Sequence, residues 1–148
     1  MDHTSAEVQE SFLEAHRTWG TGQFEAFMNF MDENVLYIVN IDGQQVPYAM
    51  SALGREDVRF RFLLLLQTFD IEKFEVLALF PEPQHITSLV HGIYRHKATG
   101  EILDVKVRFR GWATNRGTFE RLEEIHDARY VEAFERFAFF LQNTASTT

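Results

Sequence analysis

The clearest pattern of apolar and polar positions in the chain lies between residues 90 and 127. In the middle of this stretch four apolar residues alternate with four charged ones: Leu103, Val105, Val107 and Phe109 against Asp104, Lys106, Arg108 and Arg110. A period of two is typical of a strand with one buried and one wet face. Turns that contain Gly100 and Gly117 flank this strand. We therefore predict a meander of three strands, the first of them at 86–96.

Elsewhere the apolar residues follow helical spacing. Residues 5–19, 23–31, a segment after 54–57, and 127–142 are predicted to be helices, with stripes that include Val8, Phe12, Ala15 and Trp19 in the first and Val131, Phe134, Ala138 and Leu141 in the last. Asp127 is a plausible N-cap for the last helix. Two more segments, 35–41 and 74–80, are predicted strands, and 42–53 is a long polar loop.

The order of these elements sets the fold class. Helices dominate the first part of the chain, four strands follow in a row, and a helix closes it. Such segregation is typical of an α+β protein and not of a parallel α/β sheet. With no repeat and no linker, we predict one domain over residues 1–148, built as a curved antiparallel sheet with helices on its concave face.

Composition narrows the functional classes. The chain has 148 residues, 45% of them hydrophobic, with fifteen phenylalanines and a formal net charge of -8. An acidic chain is a poor match for nucleic acid or for an anionic membrane surface. Cysteine is absent and the six histidines have no metal-ligand spacing, so we expect neither metal nor cofactor. No leader or membrane-spanning run is evident, and a cytoplasmic location is expected.

In the order of its helices and strands, and in the residues that separate them, the chain resembles the nuclear transport factor 2-like (NTF2-like) superfamily, and within it the SnoaL-like and ketosteroid-isomerase-like proteins. The matching features are Gln23-Phe24-Glu25-Ala26-Phe27 followed by Asp32-Glu33, then Gly54-Arg55-Glu56, Thr99-Gly100, and the last strand that ends at Asp127. The resemblance covers nearly the whole chain. It implies a cone-shaped, cystatin-like α+β barrel whose open end is a pocket for an apolar small molecule.

The resemblance also implies which strand faces point into the cone. The inward sets are Leu36, Ile38 and Asn40 on the first strand, the apolar set above on the middle strand, and Leu122, Glu124 and His126 on the last. A homodimer built through the sheet is the usual assembly. Asp104, Lys106, Arg108, Arg110 and Trp112 would then form its interface.

The chain departs from the catalytic relatives at most of their functional positions. The general-base Asp of ketosteroid isomerases aligns with Ile38, their oxyanion-stabilising Asp with Val107, and their helix-borne Tyr with Ala15 or His16. The Arg and Asp of the epoxide hydrolases of this fold fall near Val90 and Gly92. Only the acidic residue of the last strand has a match, at Glu124. Neither activity is therefore transferred.

Glu124 and His126 are the leading catalytic candidates. They lie two apart on a predicted strand, so their side chains project from the same face. In an apolar pocket a carboxyl group beside an imidazole forms an acid–base pair. The alternative is that Glu120 and Glu124 lie on a wet edge and pair with arginines of the neighbouring strand.

The remaining candidates are arranged around this pair. Asp42 could supply a base at the cone mouth, although Asp-Gly is also a common turn. The residues predicted to bind substrate are Asn40, His16, Tyr94, Trp19, Ile38, Val107 and Leu122. His16 could donate to an oxyanion or be a half-buried surface residue, and a register shift of one residue would exchange Tyr94 for His91.

Two classes of function follow from these residues. The first is a small-molecule enzyme, an isomerase, cyclase or dehydratase that works by acid–base catalysis without a cofactor. The second is a non-catalytic ligand-binding or dimerisation module of the same fold, which the missing carboxylates favour. A third and weaker possibility is a structural subunit of an oxygenase-type complex. The first two classes differ in the expected geometry: a roomy cavity in which Glu124 and His126 converge favours the enzyme, and a closed cone with Glu124 turned to solvent favours the module.

Overall fold

A computed structural model describes residues 6–39 and 51–126 of the chain. Its helices and strands, in chain order, are α1 (Ala6–Gly20), α2 (Phe24–Met28), β1 (Met31–Val39), β2 (Ala52–Leu53), α3 (Arg55–Thr68), β3 (Phe69–Pro81), β4 (Ile86–His96), β5 (Ile102–Ala113) and β6 (Phe119–Ile125). The predicted helix at 127–142, with its cap Asp127, lies outside the described residues, as do Asn40 and Asp42.

The strands form one six-stranded sheet in the order β2-β1-β6-β5-β4-β3. Strands β3 to β6 are antiparallel neighbours joined by short turns, as the meander predicts. The sheet was predicted to be antiparallel, and one pair departs from this prediction, because β1 pairs with β6 in parallel. A parallel pair needs a long crossover, and here α3 and the whole meander provide it. The fold is α+β with a mixed sheet.

The alternation on β5 has the predicted orientation. Leu103, Val105 and Val107 are buried, and the charged residues between them are exposed. In β4 the same face carries Val90, Gly92 and Tyr94, while His91 lies on the opposite face and contacts Asp104. The register that places Tyr94 inside is therefore the one the structure adopts.

On β1 the predicted face was wrong by one residue. Val35, Tyr37 and Val39 are the buried set, whereas Leu36 and Ile38 are only half-buried. The pairing of β1 with β6 shifts register between Met31 and Leu36, so the strand starts four residues earlier than predicted and contains an irregularity. Because residues 35–39 are apolar without exception, alternation could not choose between the two faces.

The helices cover the inner face of the sheet with aromatic side chains. From α1, Phe12 and Trp19 are buried, and α3 contributes Val58 and Phe62. The contact between α1 and the sheet is close at Gly111 of β5, where an added Cβ would lie 2.8 Å from the Phe12 ring. The sheet and the helices therefore enclose one core, and the candidate site lies within it.

The outer face of the sheet carries polar pairs between neighbouring strands. Besides the contact of His91 with Asp104, Arg110 pairs with Glu123 and the Arg121 guanidinium lies over the Trp112 ring. Cross-strand pairs of this kind stabilise a sheet modestly. No helix among the described residues is both long and apolar enough to cross a membrane.

Candidate functional site

A cavity of about 60 Å³ lies between the helices and the inner face of the sheet. Among the described residues its lining is almost entirely aromatic or aliphatic: Phe12, Ala15, Trp19, Phe27, Met31, Phe62, Leu65, Phe74, Phe109, Phe119 and Leu122. The polar groups of these lining residues are the Trp19 indole N–H and those of His16, Tyr37, Tyr94 and Glu124. The volume has room for a few water molecules. The site is thus an apolar chamber with a small polar cluster.

Glu124 is the only carboxyl group among the lining residues in the described part of the chain. Its side chain is 17% exposed. The Tyr37 hydroxyl donates to Oε1 at 2.7 Å, and His126 Nε2 lies 2.9 Å from Oε2. Each carboxyl oxygen therefore has its own partner, and the group is fixed in position from β1 on one side and from the end of β6 on the other.

The Tyr37 hydroxyl keeps its proton. Burial raises the pKa of Tyr37 well above its usual value, and the neighbouring Glu124 raises it further. Tyr37 is consequently the donor in its hydrogen bond with Glu124 across the physiological range.

The arginine pairing considered for Glu120 or Glu124 belongs to Glu123 instead. Its side chain contacts both Arg110 and Arg121 on the outer face. Glu123 and Glu124 are consecutive in a strand and so point to opposite faces. The structure thus separates the wet-edge carboxylate from the one in the cavity.

Tyr94 brings a second phenol into the cavity. Trp19 Nε1–H donates to the Tyr94 hydroxyl at 3.3 Å, and no residue at 6–39 or 51–126 accepts a hydrogen bond from that hydroxyl. Burial raises the pKa of Tyr94, the hydrogen bond from Trp19 opposes the rise, and Glu124 adds to it. Tyr94 therefore stays protonated and has a proton to offer.

His16 is fully inside the protein, contrary to the alternative of a half-buried surface position. Nδ1 lies 2.6 Å from the carbonyl oxygen of Phe12, and Nε2 lies 2.8 Å from Ser88 Oγ. Burial lowers the pKa of His16 to about 4, so the ring is neutral at pH 7. A carbonyl only accepts, so Nδ1 carries the proton and the Ser88 hydroxyl donates to Nε2. His16 thus has no ring N–H for a ligand.

The other predicted residues differ in where they lie. Leu122 and Trp19 line the cavity. Val107 is buried on the inner face but is not a lining residue, and Ile38 lies on the opposite side of β1. His126 is buried beside Glu124 and not on the cavity wall. Asn40 and Asp42 lie outside the described residues.

Tyr37 is the site residue that sequence reasoning missed. The assignment of Ile38 to the inner face placed Tyr37 on the outside. A hydroxyl within the hydrophobic run 35–39 was the available signal, because a buried tyrosine needs a partner for that group. Glu124 is that partner.

Metal binding has no visible basis in this part of the molecule. Among the described residues no three His, Asp or Glu side chains converge as ligands. The described residues that line the cavity offer one carboxyl, two protonated phenols, an indole N–H and a neutral imidazole.

Comparison with known proteins identifies the fold. No protein-family model matches the chain, and no curated protein matches its sequence. Solved structures do match. An NTF2-like protein of unknown function from Burkholderia pseudomallei aligns with a TM-score of 0.74 at 13% identity, over 88% of this chain and 97% of that one.

Two further solved structures with the same fold have names other than NTF2-like protein. A protein from Mesorhizobium loti assigned as a SnoaL-like polyketide cyclase aligns with a TM-score of 0.66 at 12% identity, over 80% of this chain and 98% of its own. TerC, crystallised with polyporic acid, aligns with a TM-score of 0.76 at 11% identity, over 90% of this chain and 98% of its own. These matches confirm the predicted NTF2-like fold. At identities of 11–13% they show the fold alone and no chemistry.

Proposed function

We propose that the chain binds a small, largely apolar carbonyl compound in this cavity and acts on it by acid–base catalysis without a cofactor, in the manner of an isomerase, cyclase or dehydratase. The observation that supports this is the position of Glu124, the one carboxyl group among the described residues of an aromatic chamber, held by Tyr37 and His126. One structural neighbour, named as a SnoaL-like polyketide cyclase, is consistent with it.

In this proposal Glu124 is the general base. It takes a proton from the carbon next to the carbonyl and returns one at the same or a neighbouring carbon. The proton passes to a carboxyl oxygen, and the carbonyl oxygen gains the negative charge. Tyr37 and His126 are positioning residues, because each holds one carboxyl oxygen. General acid–base catalysis of this kind contributes about 10²–10⁴-fold to rate.

Tyr94 is the proposed donor to the developing oxyanion. Its hydroxyl accepts from Trp19 and keeps its own proton, which suits it to donate to the substrate oxygen. A preorganised donor in a water-poor cavity contributes about 10²–10³-fold. His16, whose ring nitrogens are both engaged, acts as cavity wall in this scheme.

A second candidate function is a non-catalytic binding module. The carboxyl oxygens of Glu124 are already occupied by protein donors, which favours it. The volume of about 60 Å³ does not separate the two candidates, because a ring-sized molecule would require the aromatic walls to move in either case. The convergence of Glu124 with His126 supports catalysis, while the occupied carboxyl oxygens support the module.

Hydrogen–deuterium exchange at the carbon next to the carbonyl separates these candidates. Cyclopentanone and 1-indanone would be incubated with the protein in D₂O and followed by NMR. We expect the wild-type protein to accelerate exchange and Glu124→Gln to lower that acceleration by about 10²-fold or more. Tyr94→Phe should lower it by about 10²-fold.

The matched control is Glu120→Gln, an exposed carboxyl on the same strand, which should keep wild-type exchange. Protein chemical-shift changes on ketone addition without accelerated exchange would support the binding module. Equal exchange in the wild type and in Glu124→Gln would remove Glu124 from the mechanism.

The homodimer implied by the resemblance stays a prediction. Exposed Leu77, Phe80 and Ile102 lie in β3 and β5. The polar outer-face pairs described above are satisfied within one chain.

A further inference from the structure

Gly92 occupies a position where a strand would normally carry a side chain. It lies in the middle of β4, buried, paired with Phe74 of β3 and with Val105 of β5. It is not among the glycines with positive φ, so its backbone is compatible with any residue. Glycine inside a strand weakens it and often marks a close approach by another group. The reason for glycine must therefore lie in what its Cα faces.

That neighbour is Tyr94, two residues along on the same face. A Cβ placed on Gly92 would lie 3.0 Å from Tyr94 Cε2 and 3.8 Å from Val105 Cγ2. The first distance is shorter than ordinary van der Waals contact between carbons. The tyrosine ring therefore leans back along the strand and occupies the space that a side chain at residue 92 would take.

This placement decides where the phenol oxygen lies. The hydrogen bond from Trp19 Nε1 to Tyr94 Oη is 3.3 Å, already long for an N–H···O contact. A shift of the ring by a few tenths of an ångström away from residue 92 would move the oxygen relative to the indole. The bond has little tolerance for such a shift.

We propose that Gly92 is a positioning residue for the Tyr94 hydroxyl: its missing side chain lets the ring take the position in which the oxygen meets Trp19 and faces the cavity. The consequence for catalysis rests on the proposed function, in which Tyr94 holds the substrate oxygen. The steric and hydrogen-bond claims are independent of it.

The indole N–H of Trp19 gives a direct readout. The chain contains two tryptophans, so ¹H–¹⁵N spectra show two indole resonances, and Trp19→Phe assigns them. In Gly92→Ala we expect the Trp19 indole resonance to move in the same direction as in Tyr94→Phe and to exchange faster with solvent. The Trp112 resonance should stay in place.

Gly111→Ala is the matched control, because it adds a methyl group to the neighbouring strand against Phe12 and Phe119 and not against Tyr94. It should lower the melting temperature without the Tyr94→Phe pattern at the Trp19 indole. An unmoved Trp19 resonance in Gly92→Ala, with a clear shift in Tyr94→Phe, would overturn the proposal.

A stability cycle covers the case in which Gly92→Ala folds poorly. The same substitution is made in a Tyr94→Ala background, where the ring is absent. We expect Gly92→Ala to lower the melting temperature of the wild type and to leave that of Tyr94→Ala unchanged or higher. An equal loss in both backgrounds would show that the methyl group does not act through Tyr94.

The catalytic consequence is read separately by ketone exchange. Gly92→Ala should reduce the exchange rate about as much as Tyr94→Phe does, about 10²-fold, with no further loss in the double variant. If the wild type catalyses no exchange, the proposed function fails, while the spectra and the stability cycle still decide the role of Gly92.

Discussion

At the scale of single residues, His16 shows how burial changes an ordinary side chain. Its ring is 7% exposed and packs against Phe12 and Phe109. The Phe12 carbonyl and Ser88 satisfy both nitrogens without any charge. The imidazole is stable here in its neutral form, because burial disfavours the charged form and none of the described carboxylates bonds to it.

The depressed pKa of His16 predicts a pH dependence of stability. The pKa falls from 6.5 in the unfolded chain to about 4 in the folded protein. The unfolded state then binds the proton first, so stability declines as pH falls from about 6.5 to about 4. The decline amounts to about 3 kcal/mol in the free energy of unfolding. Urea denaturation across this range measures it.

His16→Asn, which keeps a donor for the Phe12 carbonyl, should flatten that part of the pH profile. His91→Asn is the control, since His91 lies on the outer face beside Asp104. An unchanged slope in His16→Asn would show that another group titrates in this range.

The residue scale also shows what the sequence could and could not predict about the site. The position of Glu124 follows from strand alternation, since its neighbour Leu122 alternates with polar Arg121 and Glu123. For Tyr94 the sequence left the register open, because Leu89 and Ile93 make its strand apolar on both faces. Tyr37 does not follow from alternation either, because its strand is also apolar on both faces. The neutral state of His16 could not be foreseen either, since it depends on Ser88, which is 72 residues away in the chain.

At the scale of elements, Asp32 connects β1 to the turn between β5 and β6. Its Oδ1 contacts Arg116 Nη2 at 2.6 Å and Thr118 Oγ1 at 3.4 Å, and its Oδ2 accepts from the Asn34 backbone N–H. The Asn34 N–H lowers the pKa of Asp32, and Arg116 and Thr118 add to this against the effect of burial. One carboxylate thus holds the start of β1 against a distant turn.

Removal of this contact predicts a loss of stability. Asp32→Ala should lower the free energy of unfolding by about 1–3 kcal/mol, because it removes hydrogen bonds to a charged group. Since the folded pKa is lowered, the contribution of Asp32 is full above the unfolded pKa and disappears as pH falls through the folded pKa. The difference between the variant and the wild type should therefore shrink in acid.

Glu33→Ala is the control, an exposed carboxylate one residue along. Urea unfolding at pH 7 and at acidic pH measures all three proteins. A deficit for Asp32→Ala that is as large in acid as at pH 7 would contradict the electrostatic origin of the contact.

The elements differ in how well the pattern of the chain predicts them. β4 has the predicted bounds, because Pro83 and the turn at Thr99-Gly100 flank it. β5 has the predicted faces, because its apolar and charged residues alternate with a clear period of two. β3 begins at Phe69, five residues before its predicted start, since Phe69 also fits the stripe of α3. An apolar residue at a helix end satisfies both periods, and only packing decides between them.

At the scale of the whole molecule, the sheet order explains why the α+β class was predictable and the parallel pair was not. The meander from β3 to β6 follows from local turns and alternation. The neighbour of β6 is chosen by tertiary packing, and no local pattern in β1 reveals a partner more than 80 residues away. The resemblance to the NTF2-like fold predicted the α+β architecture, whereas the parallel pairing of β1 with β6 is seen only in the structure.

The parallel junction between β1 and β6 also has a consequence for the order of folding. Strands β3 to β6 make contacts between sequence neighbours, whereas the β1–β6 pair must close a loop of about 80 residues and pays a larger entropic cost before it gains any contact. We expect the meander to form first and β1 to dock late. The hydrogen bond between Tyr37 and Glu124 crosses this junction, so the polar cluster of the cavity assembles only at the final step.

Pulsed hydrogen exchange during refolding from urea tests this order. Amides of β4 and β5 should become protected before those of β1. Val35→Ala, a truncation in β1, should mainly speed unfolding, whereas Val105→Ala in β5 should mainly slow folding. Protection of the β1 amides before those of β4 and β5 would contradict this order of folding. On this view the complete polar cluster of the cavity is a marker of completed folding, since a partly folded form that lacks β1 holds Glu124 through His126 alone.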